Sequence, residues 1–161
     1  NNSNIDIKYK MYDTPGQRLL QDHAKLFIPG SSAVLVMYAI DNMESFHKAK
    51  EWLEYIYDYG KGYDNIILIG NKNDLNDRVV SFQDGNNLAT EHDIRFVELS
   101  CKANKNVNIL MKCLNNITKK KIEKKYTESQ IQKNNKYAHK RSNSIITLED
   151  PSQNDTKSGC C

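Results

Sequence analysis

No apolar run in the chain approaches the roughly 18 residues that cross a bilayer, so no transmembrane helix is expected. Cysteine is scarce, with four in 161 residues and two of them adjacent at Cys160 and Cys161. That set makes neither a disulfide framework nor a zinc site, and a reducing setting fits it. No basic patch interleaved with aromatics is present, so a nucleic-acid partner is not expected. The phosphate-cradling pattern Gly-x-x-x-x-Gly-Lys-Ser/Thr occurs nowhere. With it are missing the backbone nest, the phosphate-binding lysine and the metal-binding hydroxyl that such a loop supplies.

What is present suffices for one domain. Apolar residues make up 39% of the chain, enough for a core, and the basic surplus is concentrated at one end. Up to residue 118 there are 13 Lys and Arg against 15 acidic residues, a net of −2. From Lys119 onward there are 10 against 5, a net of +5. The overall +3 is therefore a property of the tail and points to an anionic surface near it.

Taken in order, residues 5–12 alternate apolar and polar, which predicts a strand with one solvated face. Residues 20–27 predict a short helix closed by Pro29-Gly30, and 33–40 a buried, almost wholly apolar strand. In 44–59, Phe46, Ala49, Trp52, Leu53, Ile56 and Tyr57 recur at helical steps, with Trp52 read as core. Ser81 and Asp84 have the spacing of a helix start, and His92 falls near that helix's end. Residues 94–99 predict the last strand, and Val107, Leu110, Met111, Leu114 and Ile117 the final helix.

Three stretches carry chemistry. Ile66-Ile67-Leu68-Ile69 reads as a strand covered on both faces, followed by Gly70 and then Asn71-Lys72-Asn73-Asp74. Polar residues just beyond the carboxyl end of a buried strand lie where open α/β sheets bind ligands. An Asp carboxylate there can accept from both N1–H and the 2-amino group of guanine, a donor pair that adenine lacks. Upstream stands Asp13-Thr14-Pro15-Gly16-Gln17, and downstream Ser100-Cys101-Lys102.

In this order and at these intervals the three stretches resemble the motifs of the Ras-like small GTPases, the Rab branch in particular. The resemblance implies an α/β P-loop NTPase fold, a three-layer sandwich with a mainly parallel sheet, truncated at the N-terminus. It implies GTP/GDP and Mg²⁺ as ligands. Asp13 would hold the metal through a water, the Gly16 amide would meet the γ-phosphate, and Gln17 would orient the attacking water. Asn71, Lys72 and Asp74 would bind the base, together with Ser100, Cys101 and Lys102. The Cys101 amide would meet guanine O6, and the stems of Lys72 and Lys102 would cover the two faces of the ring. Pro15 stands where the family has Ala, and a fixed φ in a loop that must change shape is expected to slow switching and hydrolysis.

Beyond about Ile122 periodicity dissolves into Lys, Asn, Ser and Gln, and 123–161 is expected to be a disordered tail behind a 1–122 domain. Its terminal Cys160 and Cys161 resemble Rab termini in which both thiols carry geranylgeranyl groups, giving stable membrane anchoring. The protein would then cycle between cytosol and the cytosolic face of an intracellular membrane. Its implied partners are effectors, exchange factors, GTPase-activating proteins and prenyl-escort proteins. The first residue is Asn, and the chain is expected to be the carboxyl-terminal two-thirds of such a GTPase. The alternative is a nucleotide-independent, membrane-tethered interaction module derived from one.

Overall fold

The computed structural model describes residues 6–14, 24, 26–59 and 65–142, with backbone alone at 59 and 133–142. Three strands form a parallel sheet in the order β1 (Val34–Ala39), β2 (Ile66–Asn71), β3 (Arg95–Glu98). Helix α1 (Met43–Tyr59) connects the first two strands, α2 (Phe82–Glu91) connects the second to the third, and α3 (Val107–Ser142) follows. Val34 pairs with Ile66 and Ala39 with Asn71, while Ile67 pairs with Arg95 and Gly70 with Glu98.

The four aliphatic residues of β2 are buried on both faces, as a run without alternation requires. Ile66 and Leu68 point into one core, with Phe46 and Leu53 of α1 and Leu88 of α2. Ile67 and Ile69 point into the other, with Val97, Leu110, Leu114 and Ile117. Each such side chain contributes roughly 1.5–3 kcal/mol when removed from water. The result is the expected three-layer α/β arrangement, with helices on both faces of a parallel sheet. Trp52 is partly buried against the first core and meets Tyr55 edge-on at 5.5 Å.

The helix boundaries follow from local chemistry. Asn42 Oδ1 accepts from the Ser45 amide at the start of α1. Ser81 and Asp84 form a full capping box on α2: each side chain accepts the other's backbone N–H. His92 is the residue at the C-terminal cap, as its position in the sequence suggested.

Three regions differ from the sequence expectation. β1 is not buried throughout: Met37 is 47% exposed. A strand with covered neighbours on only one edge and one full face can be apolar without being enclosed. Residues 6–14 form no strand, because alternation specifies a face but supplies no partner for the backbone. Only Tyr9 packs beneath the second core, its hydroxyl donating to Asn115 Oδ1 at 2.6 Å. Finally, of the tail expected to be disordered over 123–161, residues 123–142 are described and continue α3 as helix to Ser142, while 143–161 lie outside the described residues. Lys, Glu and Gln are good helix formers, so the backbone continues after the apolar stripe ends. The chain divides into two compact units at that point, Asn1–Ile122 and Glu123–Cys161. No helix among the described residues is long and apolar enough to cross a membrane.

Of the short helix expected at 20–27, Ala24, Leu26 and Phe27 are described and are helical, with the Ile28 amide donating to the Ala24 carbonyl. The turn at Pro29-Gly30 follows, where Gly30 takes φ +92.

Candidate functional site

The carboxyl ends of β2 and β3 lie side by side, and parallel register brings their loops together. Asn71 is the last residue of β2, and its Oδ1 accepts from the Lys72 amide at 2.8 Å and the Cys101 amide at 3.1 Å. One side chain thus joins the loop after β2 to the loop after β3, across 30 residues of sequence. A second tie is backbone to backbone, from the Asn73 amide to the Leu99 carbonyl at 3.1 Å.

Lys72 sits at φ +68, a left-handed conformation that costs a residue with a Cβ about 1–2 kcal/mol. The Leu75 amide closes the turn onto the Lys72 carbonyl at 3.0 Å. The Lys72 ammonium reaches across to the end of β1, where both Asp41 carboxylate oxygens accept from it at 3.0 and 2.9 Å.

The loop after β3 is equally tight. Ser100 and Lys105 exchange backbone hydrogen bonds at 3.0 Å, and the Ser100 hydroxyl, fully buried, accepts from the Ala103 amide at 2.9 Å. Asn104 and Asn106 take positive φ, and Asn106 Nδ2 donates to the Glu98 carbonyl. Asn is the residue beside Gly that adopts this conformation most readily.

Asp74 is exposed, and its carboxyl is held below the usual carboxylate range. The hydrogen bond from Ser100 is the largest cause, with its own backbone amide and the nearby Lys102 and Lys105 adding to it. Like any exposed Asp, the group is an ionised acceptor at neutral pH, and the lowered pKa extends that state further into acid. Asn73 Oδ1 lies buried beside it with no hydrogen-bond partner among the described residues.

Beneath the loops, Arg78 forms a two-pronged pair with Glu98 at 2.7 and 2.8 Å and also donates to the Val80 carbonyl. The Glu98 carboxylate is only 9% exposed. This fork fastens the end of the β2–α2 loop to β3, next to Ser100. Under it lies the Tyr38 hydroxyl, buried and without a partner among the described residues; burial pushes its pKa up. Gly70 and Gly85 leave room for that hydroxyl: a Cβ at Gly85 would stand 2.3 Å from it.

The six residues expected to bind the base are thus gathered at one end of the sheet. Two of them have partners within the protein that the sequence did not point to. The Cys101 amide, expected to face guanine O6, donates to Asn71 Oδ1, a bond that a ligand oxygen would share or displace. The Lys72 head is committed to Asp41. Neither the Asp41 pair nor the Arg78–Glu98 fork was foreseen, since their partners are 31 and 20 residues apart and meet only through the sheet.

Asp13 lies in the segment 6–14 and is exposed. Gly16, Gln17, Cys160 and Cys161 lie outside the described residues. Among the described residues no group of three or more His, Cys, Asp or Glu side chains gathers as a metal site.

A family model described as "Ras family" matches residues 1–135. Mouse Ras-related protein Rab-17 is 38% identical over 104 residues, which is 63% of this chain and 49% of that protein. Ras-related protein RabC of Dictyostelium discoideum is 31% identical over 137 residues, 84% of this chain and 70% of its own length. Ras-related protein SEC4 of Saccharomyces cerevisiae is 28% identical over 159 residues, 96% of this chain and 68% of its own. The chain thus spans about half the length of the first relative and somewhat over two-thirds of the other two.

Proposed function

Since the chain belongs to the Ras family, as a Rab-type small GTPase, we propose that it binds guanine nucleotides through the loops after β2 and β3. Within the full-length protein it would act as a GTP-hydrolysing switch in vesicle-mediated transport. The observation that carries the reading is the placement of Asp74: an exposed carboxylate in the loop just past the carboxyl end of a buried parallel strand, where the Asn71 side chain joins that loop to the one after β3. Its two oxygens match the N1–H and 2-amino donors of guanine and would meet the acceptor N1 of adenine with repulsion. Lys72 and Lys102 supply aliphatic stems for the faces of the ring.

The finer assignments rest on the family resemblance. Asp13 would contribute one carboxylate toward Mg²⁺ through a water, and such a hard cation would take further ligands from nucleotide phosphates. Gly16 would contact the γ-phosphate and Gln17 would orient the hydrolytic water, with Pro15 limiting the rate. Cys160 and Cys161 would carry two prenyl groups, and the +5 tail would add weak attraction to the cytosolic leaflet.

Titrating the full-length protein with a fluorescent GDP analogue tests the reading. Unlabelled GDP and GTP should compete, and ATP should not. Absence of any binding would overturn it and leave the tethered, nucleotide-independent module.

A further inference from the structure

The Asp41–Lys72 pair differs in kind from the exposed Glu44–Lys48 pair. The Glu44–Lys48 pair joins neighbours on one helix and holds no other element. Asp41, by contrast, follows the end of β1 and grips a residue in the loop after β2. It accepts with both oxygens, at 2.9 and 3.0 Å, and its own side chain is 25% exposed against 47% for Lys72. Lys72 is fixed at its other end too, by a left-handed backbone and by Asn71 accepting from its amide.

A lysine stem has four rotatable bonds, and ordering it on a ligand costs conformational entropy. Here the stem is held at both ends before any ligand arrives, so little of that freedom remains to be lost. Pre-organisation of this kind strengthens binding without adding a contact. Asp41 itself lies one residue past Ile40, whose amide donates to the Asn71 carbonyl and whose carbonyl accepts from Val79 and Val80. The anchor is therefore mounted on backbone that is tied to the same loop.

We propose that Asp41 is a positioning residue for the candidate base site, holding the Lys72 side chain extended so that its stem is ready to pack against a purine ring. The inference rests on the nucleotide-binding reading above. Asp41 acts through Lys72 and touches no ligand itself.

The test is a double-mutant cycle on the full-length protein, with Asp41→Asn, Lys72→Ala and the pair, reading the dissociation rate of a fluorescent GDP analogue. Asp41→Asn keeps the shape and removes the charge. It should speed dissociation about two- to fivefold, the range open to a partly exposed pair. The effect should shrink in 1 M salt, where charges are screened beyond about 3 Å. In the Lys72→Ala background, Asp41→Asn should change nothing, while the melting temperature of each variant separates a folding effect from a positional one. An equal effect of Asp41→Asn with and without Lys72 overturns the proposal, as does an unchanged rate in the single variant. A wild-type protein that binds no GDP overturns the parent reading and takes this one with it, so the two failures are distinct.

Discussion

Asp74 and Asp13 are both exposed carboxylates, and their supports are opposite. Asp74 follows β2, whose aliphatic side chains are buried on both faces, and its loop is joined to the neighbouring loop by the Asn71 side chain and the Asn73 amide. Asp13 lies in a segment that forms no strand among the described residues, near the exposed Met11 and a Tyr12 ring stacked on Phe27 at 4.8 Å. The contrast teaches that the half of the candidate site proposed to read the base is made by the sheet it sits on. A side chain there inherits its position from strand register and from short backbone ties. At Asp13 the same residue type has no such inheritance.

The comparison breaks most easily in the core. Ile67→Ala, beneath the base loops, should cost about 2–5 kcal/mol in denaturant unfolding through lost burial and a residual cavity. Met37→Ala, on the exposed side of β1, should stay within about 0.5 kcal/mol. Similar costs for the two would mean that β2 does not carry the fold.

A smaller effect is expected at the glycine over Tyr38. Gly85→Ala puts a Cβ 2.4 Å from the Phe96 ring as well as against the Tyr38 hydroxyl, and overpacking of this kind costs about 1–3 kcal/mol. Tyr38→Phe should be neutral or slightly stabilising, because it removes a buried hydroxyl that has no partner among the described residues. It should also soften Gly85→Ala in the double variant. A clear loss of stability in Tyr38→Phe would show that the hydroxyl is satisfied after all.

These contrasts mark how far the residues could be read without the fold. Ile66-Ile67-Leu68-Ile69 was legible because four aliphatics without alternation have only one economical placement, a strand covered twice. Ser81 and Asp84 were legible because capping is a local exchange between residues three apart. Residues 5–12 misled because period two describes a face and says nothing of the neighbour that a strand needs. The length of α3 misled for the opposite reason: helix backbone needs only near neighbours, so it outlasts the apolar stripe that packs. The site residues of β2 and β3 could be gathered from motif spacing, but Asp41, Arg78 and Glu98 could not. Their partnerships depend on which strand lies beside which.

The smallest expected effect sharpens the electrostatic side of the comparison. Asp74 has its carboxyl held below the ordinary range, first by Ser100. As an ionised acceptor for the nucleotide it is available above the lowered pKa of the free folded protein and is lost as pH falls through it. GDP affinity of the full-length protein should therefore show no Asp74 limb until the pH drops below the usual carboxylate range. Ser100→Ala should move that acid limb upward. An unmoved limb would mean that Ser100 does not hold the carboxylate.

The most direct measurement exchanges Asp74, the group proposed to read the base. Asp74→Asn in the full-length protein replaces one acceptor oxygen with a donor. Guanine nucleotide affinity should fall about 10- to 150-fold, the value of a hydrogen bond to a charged group. Affinity for xanthosine diphosphate, whose 2-oxo group accepts where guanine donates, should rise. Such a reversal of preference, read by competition against a fluorescent nucleotide, is the result expected if Asp74 reads the base. Unchanged GDP affinity with no gain for the xanthine nucleotide would contradict it.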